Sequence, residues 1–186
     1  LSIHSFPTRR SSDLGKDVDE DDRNRNVLIN SEKDKAELLN VVDLERNDLS
    51  KVCKPNSVKV TQLFKLEEYS TVFHLVSTVV GKLKEEVGPI ECIKACFPGG
   101  SITGTPKIRS MEIIEELEPV RRNIYTGALG YLGFDGNVDL NIIIRTILIK
   151  GNKAYFGVGG GITWDSNEKS EYDETLDKAR ALMRVL

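Results

Sequence analysis

Residues 97–111 read FPGGSITGTPKIRSM. Paired glycines, small hydroxyl residues, a Gly-Thr-Pro turn and two cations fall within one short stretch. Gly99 and Gly100 carry no Cβ, so the backbone there can approach a ligand closely. Ser101 and Thr103 offer compact donors and acceptors. Thr105 suits a helix N-cap with Pro106 at the first helical position, where a missing N–H costs nothing. The stretch reads as a polar loop running into a helix N-terminus. Such a feature is either an anion site or an ordinary structural loop, and turn chemistry alone does not separate the two.

Outward from this loop, the apolar pattern alternates between helical and strand periods. Ser31 opens a helix whose stripe is Ala36, Leu38, Leu39, Val42 and Leu49,. Residues 58–65 and 70–83 are alternating and β-branched, which predicts two strands. Gly88-Pro89 starts a short helix to Ala95. A helix over residues 106–117 would put Ile108, Met111, Ile114 and Leu117 on one side. Residues 125–134, 138–149 and 153–158 predict a three-stranded meander with turns at Asp135-Gly136-Asn137 and Gly151-Asn152. Trp164, Tyr131 and Phe134 read as packing residues. Asn167 or Ser170 begins a last helix, to about Leu182. Residues 15–25 are acidic and poor in apolar side chains, and read as an exposed lead-in. The expected class is α+β, with antiparallel sheets flanked by helices.

The chain has 186 residues, 39% hydrophobic and 30% charged, with a net charge of −3. That length is one domain with room for a real core. The slight negative charge offers no basic field for nucleic acid. No run of about 18 apolar residues is present, so nothing predicts a membrane span. Cys53, Cys92 and Cys96 form an odd set without a CxxC pair, which suits reduced thiols in a cytoplasm.

Several residues carry possible chemistry. Asp34 and Glu37 are three apart on one predicted helix, and Glu171 and Glu174 three apart on another, so each pair shares a face. If the faces meet, four carboxylates raise one another's pKa values, and a hard dication such as Mg²⁺ would relieve the repulsion. Spacing alone equally fits solvated helix faces. Arg145 sits in the apolar run Ile142-Ile143-Ile144-Arg145-Thr146, as a structural ion pair or a bidentate carboxylate fork. Gly159, Gly160 and Gly161 form a tight turn or an anion-binding nest. Lys178 lies four residues beyond Glu174, on the same face. His74 follows Phe73 in an apolar strand, where a core histidine is the commoner outcome.

PGGSITGTPK followed by IRSMEIIEELEPVRR resembles the chorismate-utilising enzymes, a family that includes anthranilate synthase component I and aminodeoxychorismate synthase component I. KDKAELLNVVDLERNDL, HLVSTVVGKL, YTGALGYLGFDGN, IIIRT, GGGITWDS and EYDETLDKA extend the resemblance over residues 15–186. PGGSITG, DLERNDL and VGGGI are closer to the aminodeoxychorismate type. The resemblance implies a Mg²⁺ site with Glu37 and Glu174 as direct ligands and with Glu171 and Asp34 acting through water. It implies that Arg145 grips the enolpyruvyl carboxylate, with Tyr125 in support from the neighbouring strand. Gly159, Gly160, Gly161 and Lys178 then hold the ring carboxylate, and His74 and Ser101 face the ring as catalytic residues. The implied reaction is transfer of ammonia, from a glutamine amidotransferase subunit or domain, to C4 of chorismate, a step toward para-aminobenzoate and folate in the cytoplasm. The anthranilate alternative adds ammonia at C2 and eliminates pyruvate.

Residues 1–14, LSIHSFPTRRSSDL, fit neither the family nor the rest of the chain. HSFPTRRSSDL resembles the translation of a sequencing-library adapter, which predicts a non-native segment standing away from the core. Residues 15–186 then correspond to the C-terminal part of a chorismate-binding domain. The family's upstream Pro-Ile-Lys-Gly-Thr segment, whose lysine attacks the ring, has no counterpart here. The chain is therefore expected to be inactive alone, and a non-catalytic fragment is a further alternative.

Overall fold

A computed structural model describes residues 2–5, 12–13, 18–69 and 72–186. They form two compact units, Leu1–Glu116 and Leu117–Leu186. The class is α+β: helices accompany small antiparallel sheets.

The first unit is organised on helix α2 (Glu32–Val52) and strand β4 (Val72–Val80). Ser31 caps α2 as predicted, its hydroxyl accepting the Asp34 N–H at 3.2 Å,. The buried face of α2 differs from the predicted stripe. Leu38, Val42 and Leu49 are buried, but Ala36 and Leu39 face solvent and three acids, Glu37, Glu45 and Asp48, lie on the buried side. These acids follow one another at helical spacings of four, four and three through Val41, so they share the face that the core claims.

Strand β4 is central and antiparallel to three neighbours. Strand β3 (Lys59–Glu68) runs along one edge, and β1 (Ser2–Ser5) and β2 (Ser12–Asp13) pair with the other. Its central position explains why Phe73, Leu75, Val76, Ser77, Thr78 and Val79 are all buried,. Two register shifts in β3 flank Gln62, and the second, between Gln62 and Lys65, contains Phe64, whose φ is 56° and whose N–H donates to the Ser77 hydroxyl at 3.2 Å,. Leu28, Leu38, Val42, Leu49, Phe73, Leu75 and Val79 form the core with Cys53 and Cys92. Each such large apolar side chain contributes about 1.5–3 kcal/mol by leaving water.

Two expectations fail here. The backbone of Ser2–Ser5 and Ser12–Asp13 pairs with β4, so residues 1–14 do not stand wholly apart from the core; Phe6 and Leu14 lie outside the described residues. The acidic lead-in is helix α1 (Val18–Asn30). Asp19, Glu20 and Asp21 occupy its first turn, where the helix dipole favours them,. Arg25 holds it to the sheet, stacked 5.3 Å from the Phe73 ring centre and paired with Glu68 at 3.0 Å,.

Helix α3 (Pro89–Cys96) follows Gly88 as predicted,. All three cysteines are free. The hydrogen bond between the Cys92 and Cys96 thiols lowers the Cys92 pKa and raises that of Cys96. Helix α4 (Lys107–Leu117) has no buried residue: Ile108, Met111 and Leu117 are exposed, so the predicted apolar side lacks a covering element among the described residues.

In the second unit, strands β5 (Ala128–Leu132) and β6 (Val138–Ile142) form one hairpin, and β7 (Leu148–Lys150) and β8 (Lys153–Tyr155) another. The predicted turns are present: Gly136 and Gly151 take φ of 85° and 63°,. The three-stranded meander is not, because the long middle strand breaks at residues 143–147. Tyr131, Phe134 and Trp164 are exposed rather than packed, since the ribbons are thin and lack cover on both faces among the described residues. Helix α5 (Glu168–Met183) is capped by Asn167, which accepts the Ser170 N–H at 3.1 Å.

Candidate functional site

The residues predicted to carry chemistry fall into two sets, one in each unit. In the first unit, Asp34 and Glu37 lie on α2, His74 on β4 and Ser101 on a short 3₁₀ turn, Gly100–Ile102. Glu37 is 7% exposed. His74 is half-buried, in register with Glu67, its ring 5.1 Å from that of Tyr69. It therefore sits on the sheet, in the setting of a packed histidine.

Loop 97–106 is fastened to α2. The Gly100 N–H donates to Glu45 Oε1 at 3.2 Å, and Gly100 packs so tightly that a Cβ there would lie 2.9 Å from Leu44 Cβ. Thr103 Oγ1 closes the turn by donating to the Gly99 carbonyl at 2.9 Å. Lys107 Nζ donates to the Pro98 carbonyl at 2.6 Å and pairs with Asp48. Helix α4 begins at Lys107 and Ser110 N–H donates to the Pro106 carbonyl, so Pro106 is the capping residue and Thr105 lies outside the helix. Glu45, Asp48 and Lys107 were not singled out from sequence. Their signal was an acid pair three apart, at core-facing positions of an otherwise apolar helix face.

Six expected residues come together in the second unit. The Tyr125 ring lies on Gly157, where a Cβ would be 2.6 Å from Cδ1 and 2.7 Å from Cδ2, and its hydroxyl would be 3.2 Å from a Cβ at Gly159. Lys178 Nζ donates to the Gly159 carbonyl at 3.0 Å and pairs with Glu174 at 2.8 Å. Glu171 is buried, accepts from Ser166 Oγ at 2.7 Å, and turns its other oxygen toward Gly160. A hollow of about 350 Å³ opens here, lined by Gly160, Ile162, Glu168, Glu171, Tyr172 and Thr175. Burial raises the Tyr125 pKa, against the pull of Arg122, so the phenol stays a neutral hydrogen-bond donor,.

Three details depart from expectation. Gly159, Gly160 and Gly161 do not alternate φ sign, because Gly136 and Gly151 are the positive-φ glycines among the described residues. They form no nest, and Gly159 presents a carbonyl to Lys178 instead. Tyr125 lies in the turn before β5, not in a strand. Arg145 lies in the break after β6, exposed, with φ of 50°. It makes no ion pair among the described residues. Thr126 N–H to Ile143 O at 2.8 Å and Ile143 N–H to Gly127 O at 2.9 Å continue the β5–β6 pairing to this end, so Tyr125 and Arg145 share one end of the ribbon.

Among the described residues no three His, Cys, Asp or Glu side chains gather closely enough to hold a metal alone. The available donors are carboxylate oxygens, a hard set. That set fits Mg²⁺, which is commonly held by one or two carboxylates and completed by water and substrate oxygens.

The glycine loop, Lys178, the half-buried Tyr125 phenol and the carboxylates of Glu171 and Glu174 thus cluster in the second unit. The chain belongs to the family described as chorismate binding enzyme, whose profile matches residues 7–184. It is 48% identical over 184 residues to aminodeoxychorismate synthase component 1 of Escherichia coli (strain K12), covering 99% of this chain and 41% of that protein. It is 47% identical over 172 residues to anthranilate synthase component 1 of Mycobacterium tuberculosis (strain H37Rv), covering 92% and 33%. The crystal structure of anthranilate synthase component I from Streptococcus pneumoniae TIGR4 superposes with a TM-score of 0.81 at 38% identity, covering 97% of this chain and 43% of that one. The chain thus spans under half the length of these relatives. No helix among the described residues is long and apolar enough to cross a membrane.

Proposed function

We propose that the protein containing this chain aminates C4 of chorismate to give 4-amino-4-deoxychorismate. The observation that carries this is the family match combined with the Tyr125–Gly159–Lys178–Glu174 cluster. There a cation and a neutral donor beside a glycine loop suit a small carboxylate-bearing ring. Lys178 and the loop at Gly159–Gly161 bind the ring carboxylate. Arg145, with its guanidinium not engaged by a carboxylate among the described residues, grips the enolpyruvyl carboxylate bidentately, and Tyr125 donates beside it. His74 and Ser101 serve the departing hydroxyl.

Glu37 and Glu174 would hold Mg²⁺, with Glu171 and Asp34 acting through water. The ion supplies Lewis-acid polarisation and a template for the ring carboxylate. Ammonia comes from a glutamine amidotransferase partner, in the cytoplasm. The nucleophilic Pro-Ile-Lys-Gly-Thr segment of the family is not among the 186 residues of the chain, and the proposed adapter origin of residues 1–14 is separable from the enzyme reading. Sequencing the genomic locus across residues 1–20 tests that origin; an uninterrupted frame reading LSIHSFPTRRSSDL would refute it.

The anthranilate reading stands second because the mycobacterial relative is nearly as similar, at 47% identity. Incubating the complete protein with chorismate, ammonia and Mg²⁺ and identifying the product chromatographically decides between them. Aminodeoxychorismate supports the proposal, anthranilate replaces it with the second reading, and unchanged chorismate refutes both.

A further inference from the structure

Lys107 and the two acids facing it are not used by the chemistry above. Asp48 is 2% exposed, yet it holds Lys51 at 2.9 Å and also Lys107. The Lys107 side chain is itself 14% exposed. Its ammonium donates to the Pro98 carbonyl at 2.6 Å and the Cys96 carbonyl at 3.3 Å as well as to Asp48. An ammonium has three protons, so each has an acceptor here. Two residues further along, the Gly100 N–H is held by Glu45 at 3.2 Å, and Gly100 itself rests against Leu44.

Residues 96, 98 and 100 are therefore fastened to one face of α2 by Leu44, Glu45, Asp48 and Lys107. A buried ion pair is a poor source of stability, because desolvation offsets the attraction. Its geometric effect is larger, since two carbonyls and one amide of a glycine-rich loop are held at defined points. Without those ties, Gly99 and Gly100 would leave the segment many conformations.

We propose that Lys107 is a positioning residue. Its buried contacts to Asp48 and to the loop carbonyls, with the Glu45–Gly100 bond, hold residues 97–103 in the single conformation that presents Ser101 to the ligand. This rests on the reading of Ser101 as part of a chorismate site. It assigns Lys107 no contact with substrate.

The test uses the complete protein and two variants, Lys107→Met and Lys107→Met/Asp48→Asn. The single variant leaves the buried Asp48 carboxylate with Lys51 as its remaining cation; the double variant removes that buried charge and still lacks the donor to the loop. Amide hydrogen exchange, the urea midpoint and chorismate affinity by calorimetry are read on each. The expected result for Lys107→Met is exchange at residues 99–103 faster by at least about tenfold, with a lowered midpoint. The double variant regains the midpoint but keeps fast loop exchange with unchanged exchange at residues 75–79, and binds chorismate at least about tenfold more weakly than wild type.

Loop exchange that stays slow in both variants overturns the proposal. So does exchange that recovers together with the midpoint, since that is what a merely structural pair predicts. If Lys107→Met unfolds, the double variant decides alone. A wild-type complete protein that fails to bind chorismate, with the loop exchange behaving as expected, refutes the chorismate reading and leaves the positioning of the loop by Lys107 intact.

Discussion

Replacing Gly157 by alanine strikes the candidate site where it is most tightly packed. The new Cβ would fall against the Tyr125 ring, 2.6 Å from Cδ1 and 2.7 Å from Cδ2. Carbon atoms in ordinary contact stand about 3.5–4.0 Å apart, so ring and loop must separate by about 1 Å. The ring cannot retreat with its backbone, because Tyr125 N–H is bonded to Arg122 O at 2.9 Å and Thr126 N–H to Ile143 O at 2.8 Å. Rotating the side chain off its rotamer costs about 0.5–1.5 kcal/mol, and overpacking as a whole about 1–3 kcal/mol. Gly157 has no positive φ, so the cost is steric and not conformational. Urea unfolding should show Gly157→Ala destabilised by about 1–3 kcal/mol. In a Tyr125→Ala background the clash disappears, and the same change should stabilise by about 0.4–1 kcal/mol through the unfolded chain. The cycle therefore has a coupling energy of over 1 kcal/mol, as expected for residues in contact. A cost below about 0.5 kcal/mol in both backgrounds would refute the stacking of Tyr125 on the glycine loop.

Arg145→Lys in the complete protein should lower kcat/KM by roughly tenfold to 150-fold, since a point charge loses one charge-assisted hydrogen bond of about 1.5–3 kcal/mol; unchanged kinetics would remove Arg145 from the site. Glu174→Gln should weaken Mg²⁺ binding, measured by calorimetry, and its activity should recover in part with excess metal. Its effect on stability should be small, about 0–1 kcal/mol, because the lost pair with Lys178 is partly solvated,. Burial raises the Glu45 pKa above its ordinary value of 4.5, with the Gly100 N–H and Lys107 opposing. A carboxyl raised on folding contributes stability that is complete below 4.5 and is lost as pH rises through the folded pKa,. Glu45→Gln, which still accepts from Gly100, should flatten that decline in urea stability; a steeper decline in the variant would contradict the assignment.

The sequence determined the features that depend on near neighbours. Ser31 and Asn167 open helices because a cap acts on an N–H group three residues away, and Pro89 opens one because its fixed φ suits the first turn,. Gly136 and Gly151 turn hairpins because the turns need positive φ there,. The Glu174–Lys178 pair was legible from spacing on one helix,. Resemblance of ordered motifs then placed the chain in its family.

Tertiary structure decided what is buried and against what. Glu45 and Asp48 look like solvated acids until Gly100 and Lys107, 55 and 59 residues away in sequence, fold onto them. The stripe on α4 is apolar by count, yet its residues stay exposed. Residues 138–149 carry a continuous strand pattern, yet the chain breaks at 143–147 and brings Arg145 out to solvent beside the turn that holds Tyr125. Periodicity specifies which side chains share a face, but only the partner that reaches that face determines whether it leaves water.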